Sequence, residues 1–342
     1  MRYQSYLLFM VTVALGADRR SRVDALLAPF APDQPSVSVA IIEDGKPVKF
    51  SRGLANLETR APASSATNYR LASLTKQFTA TAILLLVQDG KLRLDQTLDQ
   101  WLPQFPSYAK SITIRHLLTH TGGLWDYEDA IPAGQTAQFK DAAAVEFSAT
   151  HATPAFAAGA KFRYSNTGYA ALAEIVAKAS GMRFSEFLKT RVFDPLGMKN
   201  TAAYEEGLNT VANRAFGYSG QKRTDQDLTS AVLGDGGIYS SIDDLIRWNA
   251  ALDSSRLLPR AVLDEATTAG PLTGPLTTQY GYGWFVDPYR GQRRHWHAGE
   301  TIGFRAAIQR FPDRKLVIIV LSNRGNVDAR KLSLDLADLY LQ

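Results

Sequence analysis

The sequence predicts an α/β (α+β) fold: an antiparallel sheet built from strands at both ends of the chain and flanked by helices, with a mainly helical region inserted between them. Three observations carry this. Near the start, residues 36–43 and 47–53 are strand-like and meet across Asp44-Gly45, a dipeptide suited to a two-residue hairpin turn. From Tyr280 onward three further strand-like runs follow, residues 280–286, 305–311 and 315–322. Between these ends, from Ser73 to about Thr268, apolar residues recur with helical spacing between Gly and Pro breaks.

Taken in order, residues 1–17 hold Arg2 followed by the apolar run from Tyr6 to Ala17, which ends in small residues and reads as a signal peptide. The run is too short for a membrane span. Its single leading Arg and the close arginines Arg19, Arg20 and Arg22 leave a second reading open, a first helix of the folded chain. Residues 18–72 and 269–342 supply the sheet domain, closed by a helix over 326–341, and residues 73–268 form the helical region. The seam between the two is where a small-molecule cleft is expected.

At that seam stands Leu71-Ala72-Ser73-Leu74-Thr75-Lys76, followed by an apolar helix that stops at Asp89-Gly90. Positions three apart share a helix face, so the pattern sets a hydroxyl beside an amine near exposed backbone N–H groups. An amine made less basic by burial can take a serine's proton, which gives a nucleophile without histidine. The pattern alone is weak. Ser107-Tyr108-Ala109-Lys110 and Ser219-Gly220-Gln221-Lys222 match it too, but neither feeds a buried helix.

Two further segments add chemistry. Tyr164-Ser165-Asn166 directly precedes an apolar-periodic run ending at Gly181. Beside cationic amines the Tyr164 phenolate becomes accessible as a base or relay, and the Asn166 amide both donates to and accepts from a peptide-like substrate. Near the C-terminus, His297-Ala298-Gly299-Glu300 lies between strand-like runs. There a strand edge offers a backbone N–H to an oxyanion, and Gly299 lets substrate approach the chain closely.

Ser73-x-x-Lys76, Tyr164-x-Asn166 and His297-x-Gly299, in that order, resemble the serine β-lactamase and penicillin-binding superfamily. More narrowly they are similar to its branch of class C β-lactamases, DD-carboxypeptidases and related esterases. The stretches at 117–124, 236–241 and 282–284 extend the likeness over about residues 35–325. The resemblance implies a β-lactamase/transpeptidase-like fold and an acyl-enzyme mechanism without cofactor or metal. On the matching positions it implies that Ser73 is acylated and that Lys76 and Tyr164 share the proton transfers. It further implies that Asn166 holds the substrate's amide side chain and that the backbone N–H groups of Ser73 and Glu300 form the oxyanion hole. It also implies a catalytic place for His297 beside the nucleophile, where many members carry lysine. An imidazole is a weaker fixed charge than an ammonium, so a strong β-lactamase ranks below a DD-peptidase or another small-peptide hydrolase, with a carboxylesterase as the alternative.

Composition agrees. The chain has 342 residues, 45% hydrophobic and 21% charged, enough to bury a large core. Its net charge of +5 is scattered, which argues against nucleic acid as a partner and leaves a small molecule or peptide. With no cysteine there is no thiol nucleophile and no disulfide. Two other classes compete. His116 and His120 have metal-ligand spacing, but Leu117 stands where a zinc peptidase of the His-Glu-x-x-His type needs Glu. A fold of this kind can also be kept as an inactive penicillin-binding sensor, against which the intact set of candidate residues argues. The signal-peptide reading implies export to the periplasm or beyond; the alternative is the cytoplasm.

Overall fold

The computed structural model describes residues 18–131, 134–274 and 277–341. The candidate signal peptide, residues 1–17, lies outside them. A six-stranded antiparallel sheet forms the centre. Its strands are β1 (Val37–Glu43), β2 (Lys46–Arg52), β3 (Phe285–Tyr289), β4 (Gln292–Thr301), β5 (Phe304–Phe311) and β6 (Leu316–Ser322). The spatial order is β3-β4-β5-β6-β1-β2, so the two chain ends meet where β6 pairs with β1, Val39 opposite Val320. The expected hairpin is there, with Asp44 at φ 49° and Gly45 at φ 75°, as a two-residue primed turn requires.

Strand alternation explains the layers. Val37, Val39 and Ile41 of β1 and Leu316, Ile318 and Val320 of β6 point to one face. There they pack against a helical segment over 18–27 and against α6 (Ala329–Asp338), through Val23, Leu27 and Leu336. Ala40, Ile42, Val317, Ile319 and Leu321 point to the other face and join the larger core of the helical region. With both faces covered, β6 is buried along its whole length, which accounts for its unbroken apolar run.

The helical region contains α1 (Lys76–Gln88), α2 (Ile114–Leu118), α3 (Asp141–Ala149), α4 (Asn166–Ser180) and α5 (Ile242–Leu252). Every residue of α1 from Lys76 to Leu86 is buried, so this helix is surrounded rather than amphipathic. Short strands accompany these helices: Tyr69–Arg70, Ile238–Ser240 and Ala202–Ala203 form a small antiparallel sheet, and Tyr218–Ser219 pairs with Lys222–Arg223. The run expected from Tyr280 becomes strand only at Phe285, because residues 281–283 turn against the chain at Ala266 and Gln77.

Candidate active site

Ser73 lies in a 3-10 turn, Ala72–Thr75, that runs into α1 at Lys76, rather than in the first turn of an α-helix. Leu71 leads in with its N–H donated to the Ile238 carbonyl at 2.8 Å. Ala72 then takes a left-handed φ of 48°. That conformation costs a residue with a Cβ roughly 1–2 kcal/mol and lies directly before the candidate nucleophile. Gly299 of β4 makes the turn possible: a Cβ there would sit 2.0 Å from the Leu71 carbonyl oxygen. What the structure places close to Gly299 is the backbone of the Ser73 turn.

Lys76 is fully buried, and its amine meets three acceptors: Ser73 Oγ at 3.1 Å, Asn166 Oδ1 at 2.7 Å and the Asp235 carbonyl at 3.0 Å. Burial pushes its pKa down to about 8, opposed by the negative charges of Asp235, Glu128 and Asp126. In the neutral form, Asn166 and Asp235 occupy the two N–H bonds and the lone pair is left facing the Ser73 hydroxyl. The geometry is thus that of an amine base hydrogen-bonded to an alcohol. Asn166 reaches it because Ser165 caps α4, its Oγ accepting the Gly168 N–H at 3.2 Å, which leaves the Asn166 amide free.

Tyr164 stands over the same amine, with Lys76 Nζ 4.8 Å from its ring centroid. The ring is half-buried, whereas the hydroxyl is buried without a protein partner in hydrogen-bond geometry, although it is near enough to Ser73 to feel its hydroxyl. The expected phenolate is not favoured. Burial, and then the negative charges of Asp235, Asp126 and Glu128, hold Tyr164 well above the ordinary tyrosine range. It is a proton donor at rest.

His297 is buried on β4 and forms no hydrogen bond with Ser73, Lys76 or Tyr164. Its Nδ1 is 2.7 Å from the Ala298 carbonyl, which can only accept, so Nδ1 carries the proton. Nε2 then accepts the Tyr280 hydroxyl at 3.0 Å. Burial and the Lys76 charge push its pKa down to about 3, so the ring is neutral. β3 ends opposite Trp296, leaving β4 without a strand partner on that side from His297 to Thr301. Glu300 lies on this stretch with its side chain 71% exposed and Arg305 Nε 3.8 Å away across the β4–β5 pair.

Several site residues escaped the sequence reading. Asp126 accepts the N–H groups of Asn166 and Thr167, which pins the start of α4. Glu128 is exposed beside the Asn166 side chain; partial burial of its carboxyl, and then the Asp126 charge, raise its pKa. Asp129 pairs with Arg163. The Asp235 carboxylate accepts the buried Tyr127 hydroxyl at 2.8 Å. His120 accepts the Ser165 N–H at Nδ1 and packs on Tyr164 at 4.2 Å, while His116 closes a capping box with Thr113. The pair with metal-ligand spacing thus acts as cap and wall. Tyr127 and Trp284 are core residues, and Trp125 stacks on His151. The one sequence signal for the acids was the run Asp126-Tyr127-Glu128-Asp129 after Gly122-Gly123.

The Beta-lactamase family model matches residues 22–341. Penicillin-binding protein 4* of Bacillus subtilis is 32% identical over 80% of this chain and 64% of its own, and a D-aminopeptidase of Gluconobacter oxydans is 28% identical over 91% and 59%. The chain thus spans less than two thirds of the length of these curated relatives. A solved structure, the D-amino acid amidase of Ochrobactrum anthropi SV3, matches with a TM-score of 0.81 and 26% identity over 95% of this chain and 97% of that one. Because the family match runs through every segment that meets around Ser73, the chain belongs to the β-lactamase family.

Proposed function

We propose that the protein is a serine hydrolase that forms an acyl-enzyme on small amides or short peptides with a free amine next to the scissile carbonyl, of the D-residue type. The observation that carries it is the Lys76 amine, buried, made less basic and aimed at Ser73 Oγ. Neutral Lys76 takes the Ser73 proton as Oγ attacks the carbonyl carbon, and the negative charge moves to the carbonyl oxygen, facing the N–H groups of Ser73 and Glu300. Tyr164 gives its proton to the leaving nitrogen and regains one from the Lys76 ammonium, so the amine leaves neutral. Water then adds to the acyl carbon, and the same groups move its proton to Ser73 Oγ. A hydroxyl left without a partner in the interior costs about 1–3 kcal/mol, and its place beside Ser73 supports this donor role.

Glu128 supports the substrate class. Asp126 is spent on α4 and Asp129 on Arg163, so Glu128 is the exposed carboxylate beside Asn166 that can receive an ammonium. The D-aminopeptidase and D-amino acid amidase relatives point to the same chemistry. A second reading, a carboxylesterase, is favoured by neutral His297, which offers no fixed cation to a substrate carboxylate. The test compares kcat/KM for D-alanine p-nitroanilide, its L and N-acetyl forms, nitrocefin and p-nitrophenyl acetate. The D-anilide should lead its L and N-acetyl forms, and Glu128→Gln should raise its KM roughly tenfold, about the worth of one charge-assisted hydrogen bond. An N-acetyl form as fast as the free amine, or nitrocefin in first place, would overturn the reading. From residues 1–17 we also infer export, checked by finding a mature N-terminus just after Ala17 in a secretion-competent host.

A further inference from the structure

Behind the amine base lies the one-turn helix Leu233–Gly236, whose Asp235 carbonyl takes one of the two Lys76 N–H bonds. The turn is tied from three sides. Thr79 Oγ1 of α1 donates to the Gly234 carbonyl at 2.7 Å, and Tyr127 donates to the Asp235 carboxylate. On the third side stands Asp141, the first residue of α3, where Oδ2 accepts the Leu233 N–H at 2.9 Å and Oδ1 the Gly234 N–H at 2.8 Å. Gly234 is wedged in: a Cβ there would meet the Tyr169 carbonyl at 2.4 Å and Ala173 Cβ at 2.7 Å. Contact with α4 therefore blocks the turn at Gly234, and the Asp141 carboxylate holds it by the N–H groups of Leu233 and Gly234.

We infer that Asp141 is a positioning residue for the hydrolase: its carboxylate clamps residues 233–234 so that the next carbonyl, that of Asp235, fixes the Lys76 lone pair on Ser73. This rests on the proposed function above. Both carboxylate oxygens are in use, one per donor. Protonation puts a hydrogen on one of them, which weakens that acceptor and loosens one side of the clamp.

Asp141 is buried, yet it lines a cavity of about 690 Å³ through which protons have access. Burial raises its pKa to about 7; the two N–H groups oppose this, and Glu174 on α4 adds to it. The other charges near it are Lys140, which precedes it, Asp235 on the turn, and Arg183, Glu205 and Glu206 across the cavity. The direction is then set. Above about pH 7 the carboxylate is ionised and the clamp is closed; below, it is protonated and activity falls. This fall comes in addition to the loss from protonating Lys76.

The test uses the full chain, p-nitrophenyl acetate and pH 5–9. In the wild type kcat should fall with pH more steeply than one proton allows below pH 7. In Asp141→Asn the extra steepness should disappear, with kcat about tenfold lower at pH 8.5 and KM within about twofold, which is what one lost positioning hydrogen bond predicts. Glu174→Gln leaves the clamp intact and removes a neighbouring charge, so it should move the steep limb to lower pH; this variant decides the matter if Asp141→Asn fails to fold. A direct readout follows the Leu233 and Gly234 amide proton shifts, which should titrate together near pH 7. Unmoved limbs in both variants, or amides that do not titrate, overturn the inference while the hydrolase reading stands. No fluorophosphonate label on wild-type Ser73 overturns both.

Discussion

Two segments of this molecule share a pattern and a local conformation and differ in everything that matters for chemistry. Ser73-x-x-Lys76 and Ser107-x-x-Lys110 both place their serine in a 3-10 turn, Ala72–Thr75 and Ser107–Ser111. Lys110 and Ser107 are nonetheless exposed, whereas Lys76 is fully buried with three acceptors. Water hydrates an exposed ammonium. A buried one loses hydration, becomes less basic and can accept a proton. Spacing sets the two groups side by side; burial makes one of them a base.

The largest effect should come from the serines themselves. Ser73→Ala should abolish covalent labelling by a fluorophosphonate and turnover of the nitrophenyl ester, while Ser107→Ala leaves both within twofold of wild type. Mass spectrometry of the labelled protein reads the outcome directly, and an adduct that persists in Ser73→Ala would mean another nucleophile.

Next come the proton-moving groups. Lys76→Met and Tyr164→Phe should each lower kcat by roughly 10²–10⁴, the usual worth of a positioned acid or base, against no change for Lys110→Met. The pH profile sharpens the same contrast. In the proposed mechanism the reactive form of Lys76 is the neutral amine, so with a pKa of about 8 the rate should rise as pH goes up through that value and level off above it. A rate that rises instead through pH 10, where exposed lysines titrate, would erase the distinction between the two segments.

The comparison also shows what the sequence made legible. The hairpin across Asp44-Gly45 and the apolar run of β6 were readable because local turn chemistry and two-sided burial leave marks in neighbouring residues. The pair Tyr69–Arg70 and Ala202–Ala203 were not, since two residues are too few for a period to appear. The meeting of Ser73, Lys76 and Asn166 followed from motif order. Asp235 could not have been found that way: it lies 159 residues from Lys76 and contributes a backbone carbonyl, which every residue has. Burial reverses one further expectation, making Tyr164 a donor rather than a phenolate, whereas the neutral His297 agrees with the weak charge expected there and differs only in its partner, Tyr280. Residue type alone carries no sign of burial.

Gly299 gives a smaller effect, spread between stability and activity. In Gly299→Ala the added methyl would lie 2.0 Å from the Leu71 carbonyl, so β4 and the Ser73 turn must part. Overpacking of this kind costs about 1–3 kcal/mol, and the displaced turn should lower kcat more than it raises KM. Denaturant midpoints and steady-state kinetics separate the two. Wild-type kcat in a destabilised variant would show that the turn moves without disturbing the Ser73–Lys76 contact.

The smallest expected effect concerns stability alone and reverses the usual sign. Tyr164→Phe removes a buried hydroxyl that lies beside Ser73 without a protein partner in hydrogen-bond geometry, so the folded state loses little and sheds the cost of having desolvated that group. The gain should be at most about 1 kcal/mol, which in a chain of this size is a rise of about 2 °C in Tm or less. Lys110→Met, made on the exposed side of the comparison, should stay within about ±0.5 kcal/mol, as surface substitutions do. Calorimetry of both variants beside the wild type reads the difference. A Tyr164→Phe variant that melts several degrees lower would mean that the hydroxyl holds the resting fold together, and its place as the waiting proton donor would be lost.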